Sequence, residues 1–260
     1  MYRISILRNQ QILATSSHET EVQLYYQGTY QPGDTLAFES PSKYVVAGID
    51  HIIPNARLYL PDNKWVFRLP LEGDLPAGYP PFAFQGEDHL LTLREDTQND
   101  YRNLACNPAD QRRESGAYPH VSANVETRDE SVFFARNTID GLHIAKSHGK
   151  WPWLCWGIGG RPDATIRLDF GRAVKADTMT VYLRADFQRS GYWVQGTVHL
   201  SDGYSKTSPL QKFEGPQEIA LDGFHTITWA RLDQLIITDS QPSPYPSLRQ
   251  WEIYGQDVER

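Results

Sequence analysis

Three tryptophans fall within six residues, around a proline, in His148-Gly-Lys-Trp-Pro-Trp-Leu-Cys-Trp156. A tryptophan face is flat and apolar with a polar edge, which suits it to stack against the C–H face of a sugar. Pro152 breaks any continuous regular element, so at least one of these rings belongs to a loop. Trp151 is read as exposed and Trp156 as core. Trp153 stays open between the two, because tryptophan is highly buried on average. His148 and Lys150 flank the cluster and could reach sugar hydroxyls. A second pair lies in Leu-Arg-Ala-Asp-Phe187. Arg184 and Asp186 are two residues apart at a strand end and so point to one face. A guanidinium donates in a fixed fork and a carboxylate only accepts, so together they can grip adjacent hydroxyls. The plain alternative is an Arg–Asp pair that closes a strand end. Beyond the loop Gln188-Arg-Ser-Gly191, Tyr192 or Trp193 would add a stacking surface. The expected ligand-binding set is His148, Lys150, Trp151, Trp153, Arg184, Asp186 and Trp193. It requires Trp151, Arg184 and Trp193 to converge on one exposed loop surface.

No catalytic residue is assigned. The chain has no Gly-x-Ser-x-Gly, no phosphate-cradling glycine loop and no His-Glu-x-x-His. Gly157-Ile-Gly-Gly160 lacks the strand–helix context of a dinucleotide site. His51, His89, His143 and His148 are too scattered to suggest zinc. A pair of acids for glycoside hydrolysis needs proximity in space, not in sequence, and among 32 acidic residues some pair always offers itself. Tyr118, His120 and Arg128 stand in a loop-like stretch, where a solvated linker is the plain account. Tyr245, in Pro242-Ser-Pro-Tyr-Pro246, reads as a packing plug or a rim contact.

The elements that must position these residues read as strands. Seventeen prolines and nineteen glycines punctuate 260 residues, and aromatics make up 12%. Short apolar runs between turn residues suggest an all-β fold. In the first part the runs are Arg3–Leu7, Glu21–Tyr26, Thr35–Glu39, Tyr44–Ile49, Ala56–Leu60, Lys64–Leu69 and His89–Arg94. Gln31-Pro-Gly-Asp34 is a turn, and Pro61-Asp-Asn63 reads as a hairpin turn. The pattern weakens from Glu95 to Arg136, where a short helix near Ser131–Asn137 could be capped by Ser131. Further strands follow at Thr165–Phe170, Thr178–Arg184, Tyr192–Leu200, Gln217–Ala220, His225–Trp229, Gln234–Asp239 and Arg249–Tyr254, with a turn at Ser201-Asp-Gly-Tyr204. The expectation is two β-sandwich, jelly-roll-like domains, 1–105 and 106–260. Thr35–Glu39 with Ala56–Leu60 echoes Thr165–Asp169 with Thr180–Leu183, as an old duplication would.

The order of blocks in the second part resembles a known family. Asn-Thr-Ile-Asp-Gly141 comes first, then the tryptophan cluster, Ile-Arg-Leu-Asp-Phe-Gly171, Thr-Val-Tyr-Leu-Arg-Ala-Asp-Phe187 and Ser-Leu-Arg-Gln-Trp-Glu-Ile-Tyr-Gly255. This resembles the discoidin, or factor V/VIII type C, domains of galactose-binding-like fold, over roughly residues 124–256. The resemblance implies a jelly-roll sandwich whose loops at one end bind sugars, phospholipid head groups or proteins. It also implies a structural calcium ion beside the Asn-x-x-Asp-Gly loop, held by Asp140 and the late Glu252. Calcium wants six to eight oxygens, which two carboxylates and loop carbonyls can supply. The alternative is a turn aspartate, since Asp-Gly is a common turn dipeptide. This loop continues Leu-His-Ile-Ala-Lys-Ser, longer and less acidic than is usual in the family.

A formal net charge of −7 disfavours nucleic acid, whose phosphates need a basic footprint. No run approaches the roughly 20 apolar residues of a membrane-spanning helix. The apolar run before Arg8 is too short for a signal peptide, and Cys106 and Cys155 are too few for a disulfide framework, so a cytoplasmic setting is expected. The leading expectation is non-catalytic carbohydrate recognition by the second domain. The alternatives are an intracellular lyase or glycoside hydrolase with its site between the domains, marked by a deep cleft with paired carboxylates, and a protein-interaction module.

Overall fold

The computed structural model describes residues 1–113, 116–186, 191–237, 243–258 and 260. The architecture is all-β. The first domain stacks two four-stranded antiparallel sheets. One sheet has the order β2 (Gln11–His18), β1 (Tyr2–Arg8), β4 (Thr35–Glu39), β7 (Lys64–Arg68). The other has the order β3 (Glu21–Gln27), β8 (Asp88–Glu95), β5 (Tyr44–Gly48), β6 (Ala56–Tyr59). Alternation decides which side chains go inside. In β4, Leu36 and Phe38 turn inward, as do Trp65 and Phe67 of β7, and Phe38 stacks on Trp65 with centroids 4.6 Å apart. Val22, Leu24, Leu91 and Leu93 close the core from the facing sheet. The turn at Pro61–Asn63 exists, with Asn63 N–H donating to Leu60 O at 3.1 Å. It is not a hairpin, however. β6 pairs with β5 and β7 with β4, so the chain crosses between sheets there.

β2 was not expected. Its residues are mostly polar and exposed, and its turn uses Asn9 and Gln10, both at positive φ, in place of the usual Asn-Gly.

The second domain is built on one continuous sheet, in the order β11 (Trp156–Gly157), β16 (Ser247–Asp257), β12 (Ile166–Leu183), β15 (Gln217–Ile236), β13 (Gln195–Leu200), β14 (Ser205–Pro209). β10 (His120–Ala123) adds to β12 and β9 (Arg102–Asn103) to β16. β12 and β15 each merge two or more expected strands. Their pairing breaks register at Asp169/Val174 and Ala176/Thr178. Such breaks let one long strand serve both walls of a folded sheet. Trp156, Phe170, Met179, Trp193, Trp251 and Ile253 fill the space between the walls. The C-terminal end of the expected strand Gln234–Asp239 lies outside the described residues.

The expected helix near Ser131–Asn137 does not form. In its place are three single 3-10 turns, Thr127–Asp129, Ser131–Phe133 and Ala135–Thr138, and none of them, Ser131–Phe133 included, has a side-chain cap. The stretch between the domains is shared by both. Leu104 and Ala105 enter the second core, Ala109 and Ala117 the first, and Tyr118 bridges to Tyr59. No helix among the described residues is long and apolar enough to cross a membrane.

Candidate functional site

The strap of 3-10 turns forms one wall of a groove of about 790 Å³ at the loop end of the second domain. Strap residues Arg128, Glu130 and Phe133 face His148, Arg184 and Tyr245 across it. The strap lies close over β11. A Cβ on Gly157 would meet Thr127 Oγ1 at 2.6 Å and Phe133 Cδ1 at 3.0 Å, so only glycine admits this approach. Gly159 N–H then donates to Thr127 Oγ1 at 2.8 Å, which stitches the strap to the tryptophan loop. At its root Glu126 Oε1 accepts the Ala135 N–H at 2.7 Å and Oε2 meets Arg112 Nε at 2.6 Å.

The polar centre is one carboxylate shared by an arginine and a histidine side chain. Asp186 Oδ2 lies 2.8 Å from His148 Nδ1, and Oδ1 lies 2.7 Å from Arg184 Nε. Arg184 is buried, and its Nη2 donates to the Tyr245 carbonyl at 3.2 Å. With Nδ1 turned to Asp186, His148 presents Nε2 outward, and its side chain is 44% exposed. The His148 ring stacks over Phe133 at 6.4 Å. Arg128 forms a bidentate pair with Glu130, both bonds 2.6 Å, while its guanidinium covers Phe133 at 5.2 Å. Tyr245 is 55% exposed, and its ring rests against Gly160, where an added Cβ would approach Cε1 to 3.1 Å. The groove therefore offers hydrogen-bonding groups whose charges are already neutralised, between an exposed phenol ring and a phenylalanine floor.

Of the expected set, His148, Arg184 and Asp186 come together. Trp193 does not join them. It is 1% exposed and packs at 6.1 Å against Trp156, also core, so it cannot stack on a ligand. The half-buried Trp151 turns its backbone toward the first domain, with N–H donating to Ala77 O at 3.0 Å, and it does not line the groove. Lys150, exposed, and Trp153, half-buried, also lie off the lining. The required convergence of Trp151, Arg184 and Trp193 therefore fails, and the exposed aromatic ring is Tyr245, with Phe133 buried beneath Arg128 and His148. The sequence offers Tyr245 as a packing plug or a rim contact and Arg128 as part of a linker. Phe133 carried no signal, because single aromatics in irregular segments have no periodicity to mark them. Tyr118 packs beneath Gly171 and His120 bonds to Asp110 at 2.8 Å, both away from the groove. The loop after Asp186 and the start of the Pro242–Pro246 segment lie largely outside the described residues.

Asp140 and Glu252 are both held by the protein's own groups. Arg249, 1% exposed, donates from Nη2 to both Asp140 oxygens at 2.9 and 3.0 Å and from Nη1 to Asn137 O at 2.6 Å. Glu252 Oε1 lies 2.7 Å from His143 Nε2, and Oε2 accepts from the Tyr254 hydroxyl at 3.1 Å. Burial and the Glu252 charge push that hydroxyl up to about 12, so it stays a donor. Burial, reinforced by Asp140 and Glu252, pushes the Cys106 thiol up to about 12 as well. This donor set does not suit calcium, which would have to sit against a buried guanidinium to reach Asp140. Among the described residues no group of three or more His, Cys, Asp or Glu could hold a metal ion. Between the domains, a cavity of about 60 Å³ is lined by Arg68, Arg112 and Arg136 and by no carboxylate.

No family model matches the chain, and no curated protein does. Solved structures of low identity are similar. A fucose-binding module of Streptococcus pneumoniae shares 16% identity over 60% of this chain and 99% of that one, with a TM-score of 0.43. A chitosan-binding module from a Paenibacillus chitosanase/glucanase shares 16% over 60% and 100%, with a TM-score of 0.41. A family 32 CBM from Clostridium perfringens NanJ, solved with galactose, shares 14% over 52% and 91%, with a TM-score of 0.40.

Proposed function

We propose that this protein binds a carbohydrate in the groove between the strap and Tyr245 and does not transform it. The observation that carries this reading is the Arg184–Asp186–His148 arrangement beneath an exposed aromatic ring. A sugar offers vicinal hydroxyls that both donate and accept, and an apolar C–H face. Arg184 and His148, oriented by one carboxylate, match the hydroxyls. Tyr245 matches the face. The groove's size falls within the range of small-ligand sites. Among the described residues the carboxylates at the groove are Glu130 on its lining and Asp186 at its polar centre, and each is tied to an arginine.

The test is a broad glycan array followed by calorimetry on the best binder. Tyr245→Ala should weaken that binder about ten-fold, as expected for one aromatic contact. A blank array at high protein concentration, or an unchanged affinity in Tyr245→Ala and Arg184→Ala together, rules the groove out.

A further inference from the structure

One short segment of the first domain is hydrogen-bonded to the groove's strap. The 3-10 turn Leu75–Gly78 lies directly behind the strap. Asp74, at its start, accepts the Ser131 N–H on Oδ2 at 2.6 Å, and its carbonyl accepts the Ser131 hydroxyl at 2.7 Å. Ala77 O accepts the Trp151 N–H at 3.0 Å, below the His148 loop. Arg136, buried at the strap's far end, donates to Gly78 O at 3.2 Å, to Pro108 O at 3.0 Å and to Asp110 O at 2.6 Å, with its guanidinium 4.4 Å over Tyr79. Both groove walls that carry Phe133 and His148 thus rest on backbone of the other domain.

The strap needs such support. It belongs to no sheet, and single 3-10 turns have poor hydrogen-bond geometry of their own. Within the strap the turns close on themselves, Phe133 N–H to Glu130 O at 2.9 Å and Asn137 N–H to Phe134 O at 3.1 Å, and the second domain adds Cys155 N–H to Val132 O at 3.2 Å. The backbone N–H of Ser131, at the head of the central turn, is bonded by Asp74. A wall that wanders costs binding free energy, because it must be ordered each time a ligand arrives.

We propose that the first domain acts as the positioning element of the groove, with Asp74 as the positioning residue that fixes the Ser131–Phe133 wall. The ligand half of this statement rests on the carbohydrate reading above, and the wall half does not. Hydrogen exchange on the full chain tests the wall without any ligand. Asp74→Ala should speed exchange in residues 127–138 at least ten-fold while β12 and β16 exchange as before. Asp74→Asn keeps an acceptor for the Ser131 N–H and should restore most of the protection. The same variants on the glycan array should show a loss for Asp74→Ala, recovered by Asp74→Asn, with the ranking of glycans unchanged. Wild-type exchange in Asp74→Ala, or loosening spread evenly over the whole chain, overturns the proposal. If the wild type binds no glycan, the carbohydrate reading fails, and the exchange result still decides the role of Asp74.

Discussion

Arg249 and Asp140 form a buried ion pair, with side chains 1% and 8% exposed, and removing one partner should be costly. Asp140→Ala leaves a guanidinium without its carboxylate in a site that water does not reach. Loss of one partner from a buried pair destabilises by about 3–5 kcal/mol. Urea unfolding of wild type and variant should show that difference, and it should be the same in calcium and in chelator. A wild-type midpoint that rises with calcium would contradict the assignment of Arg249 to the cation's place. At this scale the sequence was informative about charge and poor about aromatic rings. Arg184 and Asp186 stood out because two charges closed an apolar strand, and His148 because it preceded a tryptophan loop. Trp193 misled because a tryptophan beside a loop looks the same whether its ring faces the core or the solvent. Its burial is set by Trp156 across the sheet, 37 residues away in sequence.

Strands, as elements, were legible where alternation was strong. Leu36 and Phe38 in β4 announce it, and the exposed β2 has no such signal. The long strands β12 and β15 were split because their register breaks look like turns in sequence. β8 also carries a pH-sensitive side chain. His89 points inward, 2% exposed, stacked at 3.9 Å on Tyr30. Burial holds its imidazole below the usual histidine value. The sign follows from that direction. The unfolded chain takes up a proton near the ordinary value of about 6.5, before the folded state does, so stability present above that pH is lost as pH falls below it. Thermal unfolding between pH 7.5 and 5 should show the first domain weakening, and His89→Gln should flatten that slope. An equal slope in the variant would place the effect elsewhere.

Across the whole molecule the two sandwiches are joined by a charged seam. Asp257 meets Arg172 at 2.6 Å, Arg260 at 2.9 Å and Arg102 at 3.2 Å, while Arg172 also lies over Tyr44 and Tyr59 of the first domain. Burial works to raise the Asp257 carboxyl, but Arg172 and Arg102 outweigh it and hold the group below its ordinary value. Such a carboxylate contributes stability above the unfolded value of about 3.9 and loses it as pH falls through the folded one. Arg172→Ala should therefore separate one calorimetric transition into two, one per sandwich. A single unchanged transition would mean that the seam does not couple them. The seam was invisible in the sequence, because its arginines and aspartates come from both halves and from the shared stretch between them. That stretch also crosses between the cores more than once: Leu104 and Ala105 enter the second core, Ala109 and Ala117 the first. The groove, by contrast, is walled by five short segments, around Arg128, His148, Gly159, Arg184 and Tyr245. Arg184 is bonded to the long sheet, its N–H donating to Ser247 O at 3.0 Å, while Arg128, Glu130 and Tyr245 lie outside the named strands. Specificity can therefore be re-engineered at the exposed positions, and a library randomised at residues 128, 130 and 245 would vary the recognition chemistry while the buried Phe133 and the scaffold stay constant.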